Sequence, residues 1–146
     1  MIDSRTAPYA ALLLRLALGG LFLAHAGIKI LIFTPAGTAA FFGKLGLPPQ
    51  FAYLVMTAEL LGGAALILGI WTRLVALALI PVLLGAIVTV HAGAGFLFTN
   101  PNGGWEFPAF WIVALLAQAM IGAGAFALTN PRSDDHAAPV SQAYAR

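Results

Sequence analysis

Cysteine is absent from this chain of 146 residues, and charged residues make up only 8% of it. The lack of cysteine excludes disulfides, thiol relays, iron–sulfur ligation and covalent c-type haem attachment. The seven Lys and Arg residues form no cluster, so the sequence offers no nucleic-acid surface. An ordinary soluble domain carries about 25% charged residues, and this composition therefore excludes that class.

Apolar residues make up 61% of the chain, and its mean hydropathy is +0.94. The stretches 74–105 and 107–131 contain no Asp, Glu, Lys or Arg. Each exceeds the roughly 20 residues that a helix needs to cross a bilayer. The first half is dense enough in apolar residues for two further spans. The fold class predicted is an all-α membrane protein, a bundle of four transmembrane helices at about 9–32, 50–70, 74–96 and 106–128.

A short helix is predicted between helices 1 and 2. Thr34-Pro35 is typical of a helix start, and the sequence Leu47-Pro48-Pro49 ends the segment about a dozen residues later. Because the segment is too short to span, we expect an interfacial helix that covers one mouth of the bundle.

The rest of the chain is assigned from its polarity. Residues 1–128 are predicted to form one transmembrane domain, and the polar segment 129–146 a disordered cytoplasmic tail. The distribution of Lys and Arg around the spans places both termini on the cytoplasmic side, with Arg73 at the turn between the second and third spans. A bilayer is therefore the first expected partner.

A signal peptide is the alternative interpretation of the first span. Ala24-His25-Ala26 imitates a cleavage site after an apolar core. Arg15 interrupts that core, however, and apolar sequence continues beyond the triplet. These two features favour a transmembrane helix.

Small residues predict close helix contacts. Gly62-Gly63 lies on the second span, and Ala78, Gly85 and Ala92 recur every seven residues on the third. Such surfaces let membrane helices approach each other closely.

Ionisable residues lie inside or at the edges of the spans. A charge near the bilayer centre costs roughly 2.5–3.5 kcal/mol on insertion scales, so such residues usually face the bundle interior and mark a functional pathway. Here they are His25, Lys29, Glu59, His91 and Glu106. The predicted spans and their orientation place all five in the outer half of the membrane.

The first span carries a polar stripe. His25 and Lys29 are four residues apart and share a helix face, and Arg15 returns to nearly the same face several turns away. Arg15 can also snorkel to the cytoplasmic headgroups, which is a purely structural role.

A faint repeat relates the two halves. His25-Ala26-Gly27 closes the first span and His91-Ala92-Gly93 lies near the end of the third. Each is followed by a loop and a helix that carries one glutamate. Two such hairpins, related by an axis along the membrane normal, would bring both histidines and both glutamates around a central cavity.

These residue types suit a proton-handling or quinone-binding site. His25, Glu59 and His91 are the candidate catalytic residues, because imidazole and carboxylate groups carry protons and form hydrogen bonds to quinone oxygens. The candidate binding residues are Lys29, Trp105, Glu106 and Arg15. No metal or haem ligand motif is present, so neither is the expected cofactor.

The motifs LLLRLALGGLFLAHAGIKI, AAFFGKLGLP, AELLGGAALILGIWTRLVAL and NGGWEFPAFW occur in this order. In this combination the chain resembles the DoxX family of small four-span bacterial membrane proteins, over about residues 10–128. The resemblance implies a four-helix bundle in the bacterial plasma membrane, in a family with some members associated with thiosulfate:quinone oxidoreductase and quinol-linked respiratory complexes. Its motif residues here are Arg15, His25, Gly27, Lys29, Glu59, Thr72, Arg73, Trp105 and Glu106.

Three functions follow from these features. The first is a redox-associated subunit with a quinone or small-molecule pocket, acting with a redox partner subunit. The second is a small proton-coupled transporter, which would need to form a homo-oligomer. The third is a non-catalytic anchor or assembly partner, in which Lys29 or Arg15 forms an internal ion pair with Glu59.

Overall fold

The computed structural model describes residues 3–129, and within that range the chain is helical and contains no strand. The helices are α1 (Ala7–Gly27), α2 (Pro35–Lys44), α3 (Gln50–Leu68), α4 (Thr72–Ala86) and α5 (Glu106–Ile121). One π-helical turn extends α1 over Ile28–Ile32, and another extends α4 over Ile87–His91, followed by a 3₁₀ turn at Ala92–Ala94.

The predicted fold class is confirmed. Three continuous helical stretches are long and apolar enough to cross a membrane, namely Ala7–Ile32, Gln50–Leu68 and Thr72–Ala94. The fourth helix, α5, is apolar but only 16 residues long. The count of four spans therefore depends on α5.

Local sequence explains where the elements begin and end. The Thr34 hydroxyl accepts a hydrogen bond from the Gly37 N–H at 3.2 Å and caps α2, as the Thr-Pro pair predicts. Gly69, at φ +69°, ends α3 in a left-handed conformation that glycine adopts without strain. Two residues separate Gly69 from the start of α4, so α3 and α4 run antiparallel.

The four long helices alternate in direction and form a bundle. α1 packs most extensively on α3, and α4 on α5. The buried core between them contains Leu18, Phe22, Leu66, Ala76, Leu79, Leu83, Trp111 and Leu115. The outer surface is also apolar, with Leu13, Leu31, Val88 and Phe110 among its exposed side chains. A surface of this kind is stable against lipid, which agrees with membrane insertion.

The bundle has two ends that are named here by their polar residues. The histidine end contains the end of α1, the start of α3, the end of α4 and the start of α5. The arginine end contains the start of α1, the end of α3, the start of α4 and the end of α5. α2 packs against α3 and the π-helical turn of α1 at the histidine end, over a small core of Ala39, Ala52 and Met56.

α5 ends at Ile121, earlier than the predicted boundary at 128. Gly122 at φ +93° and Gly124 at φ +72° turn the chain out of the helix. The segment then returns to the arginine end, where the Ala125 N–H donates to the Pro8 carbonyl and the Leu128 N–H to the Leu68 carbonyl. Apolar composition alone does not reveal this change of direction. The predicted tail lies outside the described residues, apart from Thr129.

The expected contact at Gly62-Gly63 is present. A Cβ atom on Gly63 would lie 2.9 Å from the Gly19 carbonyl oxygen, and one on Gly62 would lie 2.8 Å from a Leu79 methyl group. Gly85 has open space around it, so the seven-residue pattern on α4 does not mark a close helix contact at that position.

Gly19→Ala should lower the free energy of unfolding by about 1–3 kcal/mol, because an added methyl group there overpacks the interface. Its Cβ would lie 2.6 Å from the Gly63 carbonyl oxygen. The adjacent Gly20 faces open space, so Gly20→Ala is the matched control and should not destabilise the protein. Unfolding titrations in detergent micelles measure both. Equal effects at the two positions would contradict the close α1–α3 contact.

Candidate functional site

A cavity of about 630 Å³ lies at the histidine end of the bundle. Ligand pockets commonly have volumes of about 300–1,000 Å³. Most of its wall is apolar and comes from α2, α3, α4 and α5. The polar or ionisable side chains that line it are His25, Lys29, Glu59, Thr89, His91 and Trp111. Four of the seven predicted site residues, His25, Lys29, Glu59 and His91, thus share one cavity.

Lys29 and Glu59 form an ion pair across the α1–α3 interface. The Lys29 Nζ atom lies 2.7 Å and 2.8 Å from the two carboxylate oxygens of Glu59. The Glu59 side chain is 6% exposed and that of Lys29 is 21% exposed. Each charge compensates the other in a setting where an isolated charge is expensive. The structure thus contains the internal ion pair, with Lys29 as the partner of Glu59.

His25 lies one helical turn before Lys29 and packs against Trp111 of α5. The two ring centroids are 5.1 Å apart in an edge-to-face arrangement. Trp111 is buried, and its indole N–H has no hydrogen-bond partner among residues 3–129. A buried donor without a partner is rare, and here it belongs to a residue of the cavity wall.

His91 connects the cavity to the loop between α4 and α5. Its Nδ1 atom lies 2.8 Å from the Gly103 carbonyl oxygen. Since a carbonyl only accepts, Nδ1 carries the proton in this contact, and Nε2 of the neutral ring remains an acceptor. Phe98, from the same loop, lines the cavity. His91 therefore holds the loop in place and keeps one ring nitrogen free.

π-Helical turns lie at both helix ends beside the cavity. Lys29 lies within the turn Ile28–Ile32, and His91 is the last residue of the turn Ile87–His91. A π-helical turn changes the direction of the side chains that follow it, and such turns often occur at functional sites. Both turns therefore lie at the cavity, each with one of its polar residues.

The cavity opens through its apolar wall toward the surface that faces lipid. Leu54 of α3 and Pro81 and Gly85 of α4 line the cavity and are also exposed. Phe41 and Phe51 near the mouth are likewise exposed. The opening is therefore lined by residues compatible with the hydrocarbon of a bilayer.

Arg15 lies away from the cavity, and the snorkelling interpretation is wrong. Its side chain is 1% exposed, at the arginine end. Nε donates to the Ala123 carbonyl at 2.9 Å, Nη2 to Ala125 at 2.8 Å, and Nη1 to Leu66 at 3.2 Å and to Ile67. The guanidinium fork matches a cluster of backbone carbonyls, which charge patterning does not reveal.

Trp105 and Glu106 lie beside the cavity and do not line it. The Glu106 carboxylate accepts a hydrogen bond from the Phe98 N–H at 2.7 Å, within the loop. Trp105 packs on Phe96, with ring centroids 4.8 Å apart. The predicted repeat thus brings both histidines and Glu59 to one cavity and leaves Glu106 at its edge. Phe107 and Trp111, whose ring centroids are 5.7 Å apart, are aromatic residues of the cavity wall.

Trp111 is the functional candidate that the sequence interpretation missed. Its spacing of four residues from Phe107 places the two rings on one face of α5. This spacing was the feature of the sequence that could have identified Trp111. Its partner across the bundle, Phe22, has a ring centroid 4.5 Å away. Between residues 3 and 129, no group of three His, Cys, Asp or Glu side chains is arranged to hold a metal ion.

Comparisons with known proteins identify the family of this chain. The family model described as DoxX matches residues 10–92, more than half of the chain. A relative from Bacillus subtilis (strain 168), named "Putative oxidoreductase CatD", is 35% identical over 117 residues, which cover 80% of this chain and 82% of the relative. No solved structure matches. The match to the family model and the extent of this similarity show that the chain belongs to the DoxX family of membrane proteins.

Proposed function

We propose that this protein is a redox-associated membrane subunit that binds a quinone, or a similar small molecule soluble in lipid, in the cavity at the histidine end. One observation carries the proposal. A mostly apolar cavity contains the Lys29–Glu59 ion pair and two histidines, and it opens toward lipid. Apolar walls with a few convergent polar groups are typical of sites for small organic ligands.

The polar groups of the cavity match the oxygens of a quinone. The Trp111 N–H and the Lys29 ammonium are donors, whereas the Nε2 atom of neutral His91 is an acceptor. Glu59 and the two histidines are able to hold or release protons within the cavity. A bound quinone supplies a two-electron, two-proton couple that the side chains of this chain do not provide.

The lateral opening favours a ligand that enters from the membrane. Exposed Leu54 and Pro81 offer no hydrogen bonds through their side chains, so entry between α3 and α4 suits an apolar solute. The name of the Bacillus subtilis relative, an oxidoreductase, also supports a redox role. Electrons would come from or go to a partner subunit, because the sequence has no cysteine for an iron–sulfur centre. The outward position of the histidine end, from the Lys and Arg count, stays a prediction.

Quinone binding provides the direct test. Purified protein in micelles, titrated with a short-chain benzoquinone or naphthoquinone, should bind it and quench tryptophan fluorescence. Glu59→Gln and His25→Ala should each weaken binding at least about tenfold, as expected from the loss of one charged or strongly polar contact. Trp111→Phe removes the N–H donor and keeps an aromatic ring, so we expect a smaller loss.

Glu106→Gln is the matched control, because Glu106 is a carboxylate at the same end but outside the cavity wall. It should leave the affinity unchanged. If Glu59→Gln and His25→Ala bind quinone as well as the parent, the cavity assignment is wrong. Substrate flux in vesicles without any electron donor would instead support transport.

A further inference from the structure

A second cavity, of about 1,000 Å³, lies at the arginine end, and the proposed function does not use it. Its wall is formed by the first turns of α1 and α4 and by the segment that follows α5. Residues of the wall include Pro8, Trp71, Thr72, Arg73, Gly122 and Thr129. No Asp or Glu side chain from the described range lines it.

The first turn of α4 lines this cavity and brings no negative charge to it. The N-cap residue is Trp71, whose side chain provides no capping hydrogen bond, and the first turn contains no acidic residue. The first backbone N–H groups of a helix have no partner within the helix and attract anions. The Trp71 N–H donates to the Thr129 hydroxyl at 2.7 Å, so the groups left for an anion are the N–H groups of the residues that follow Trp71.

Arg73 adds a cation to this turn, where the helix dipole disfavours one. In residues 3–129 it forms no ion pair. Its guanidinium lies against Gly122, since a Cβ atom there would be 3.3 Å from Nε and from Nη2. The carboxyl end of a helix favours a cation, so the position beside the end of α5 offsets part of the unfavourable interaction between Arg73 and the α4 dipole. It also holds the guanidinium at the cavity wall.

Thr72 provides an independent observation. The residue is 2% exposed, and its hydroxyl has no hydrogen-bond partner within residues 3–129. A buried hydroxyl without a partner lowers stability, and native structures contain few such groups. A helix start without an acidic residue, a cation at that end and a residue with an unpaired hydroxyl therefore meet at one cavity. Departures of this kind from local rules concentrate at functional sites.

We propose that this cavity binds a phosphate group, supplied in the membrane by a phospholipid headgroup. Backbone N–H groups at a helix N-terminus, a guanidinium and a hydroxyl are together the donors that phosphate oxygens accept. The cavity lies where three membrane-spanning stretches begin or end. Trp71 in the cavity wall is also exposed, as is typical of tryptophan at the level of the headgroups.

Three probes, added to the protein in dodecyl maltoside micelles, distinguish the sources of phosphate. They are a short-chain phosphatidylglycerol, inorganic phosphate, and a short-chain diacylglycerol that lacks phosphate. We expect phosphatidylglycerol to raise the melting temperature and to appear as a bound adduct in native mass spectrometry. Stabilisation by inorganic phosphate alone would overturn the lipid assignment. Equal binding of diacylglycerol, or no binding of either phosphate probe, would overturn the phosphate site.

Variants test the donors. Arg73→Gln should weaken phosphatidylglycerol binding about tenfold or more, and Arg73→Lys should retain part of it. Thr72→Val removes the hydroxyl at constant shape, so it should weaken binding about threefold without lowering the melting temperature of the lipid-free protein. Arg5→Gln, which removes an exposed arginine absent from the wall, should bind as the parent does.

A purely structural role for Thr72 and Arg73 predicts a different pattern. Thr72→Val would then destabilise the lipid-free protein, and all variants that fold would keep the parent's affinity for phosphatidylglycerol. Either result would contradict the proposed site. Quinone binding at the other end serves as the folding control, because neither residue touches that cavity.

Discussion

Arg15→Met is expected to destabilise the protein more than any other single substitution considered, by at least about 4 kcal/mol. The guanidinium donates to carbonyls of two separate segments, Leu66 and Ile67 at the end of α3 and Ala123 and Ala125 after α5. Hydrogen bonds to a charged group each contribute about 1.5–3 kcal/mol, and the contributions are only partly additive. Thermal melting and denaturant titration in micelles measure the loss.

The expected loss has a cause specific to membranes. Irregular backbone at membrane depth is tolerated only where its polar groups find partners within the protein. The segment after α5 is irregular, and Arg15 supplies partners for two of its carbonyls. Without the guanidinium, these carbonyls would be left unpaired in an apolar setting.

Two further variants define what Arg15 does. Arg15→Lys keeps the charge but replaces the rigid fork by a single ammonium group, which cannot reach both segments equally well. We therefore expect an intermediate loss of stability. Arg5→Met removes an exposed arginine and should change stability by less than about 0.5 kcal/mol. A stable Arg15→Met variant would show that the contacts to α3 and to the segment after α5 contribute little.

Lys29→Met and Glu59→Gln should each lower the unfolding free energy by about 3 kcal/mol, because each leaves one charge buried and unpaired. The double variant should recover most of this loss, since it has no isolated charge. The coupling energy from the double-mutant cycle is the quantity to measure. If the stability losses of the two single variants simply add in the double variant, the two side chains do not stabilise each other.

The double variant also separates folding from ligand binding. If the pair has only a structural role, the double variant should regain quinone binding together with stability. If the pair contacts the ligand, the double variant should fold and still fail to bind. Binding and melting are measured on the same samples, so a failure to fold cannot be mistaken for a loss of affinity.

Composition and hydropathy were sufficient to predict an all-helical membrane bundle and the position of α2. Apolar length is a property of each segment by itself, and Thr34-Pro35 is a local signal. The end of α5 was placed too late, because Gly122 and Gly124 turn a segment whose composition is still apolar. Hydropathy does not register a change in backbone direction.

The polar residues were predictable to different degrees. One cavity contains four of the predicted residues, as their depths along the spans predict, namely His25, Lys29, Glu59 and His91. Arg15 was misplaced because its partners are backbone carbonyls, which no side-chain pattern encodes. Trp111 was missed because an aromatic residue in an apolar helix is usually a core residue, and only the structure shows that it also lines the cavity.

The shortness of α5 has a consequence for the surrounding lipid. Sixteen residues at 1.5 Å each give a length of about 24 Å, against about 30 Å of hydrocarbon in a typical bilayer. Exposed Phe126 and Leu128 extend the apolar flank only through irregular backbone. Acyl chains beside this flank are expected to compress, at a fraction of a kcal/mol per ångström of mismatch. Thinner membranes, or a second copy pressed against this side, would relieve that compression.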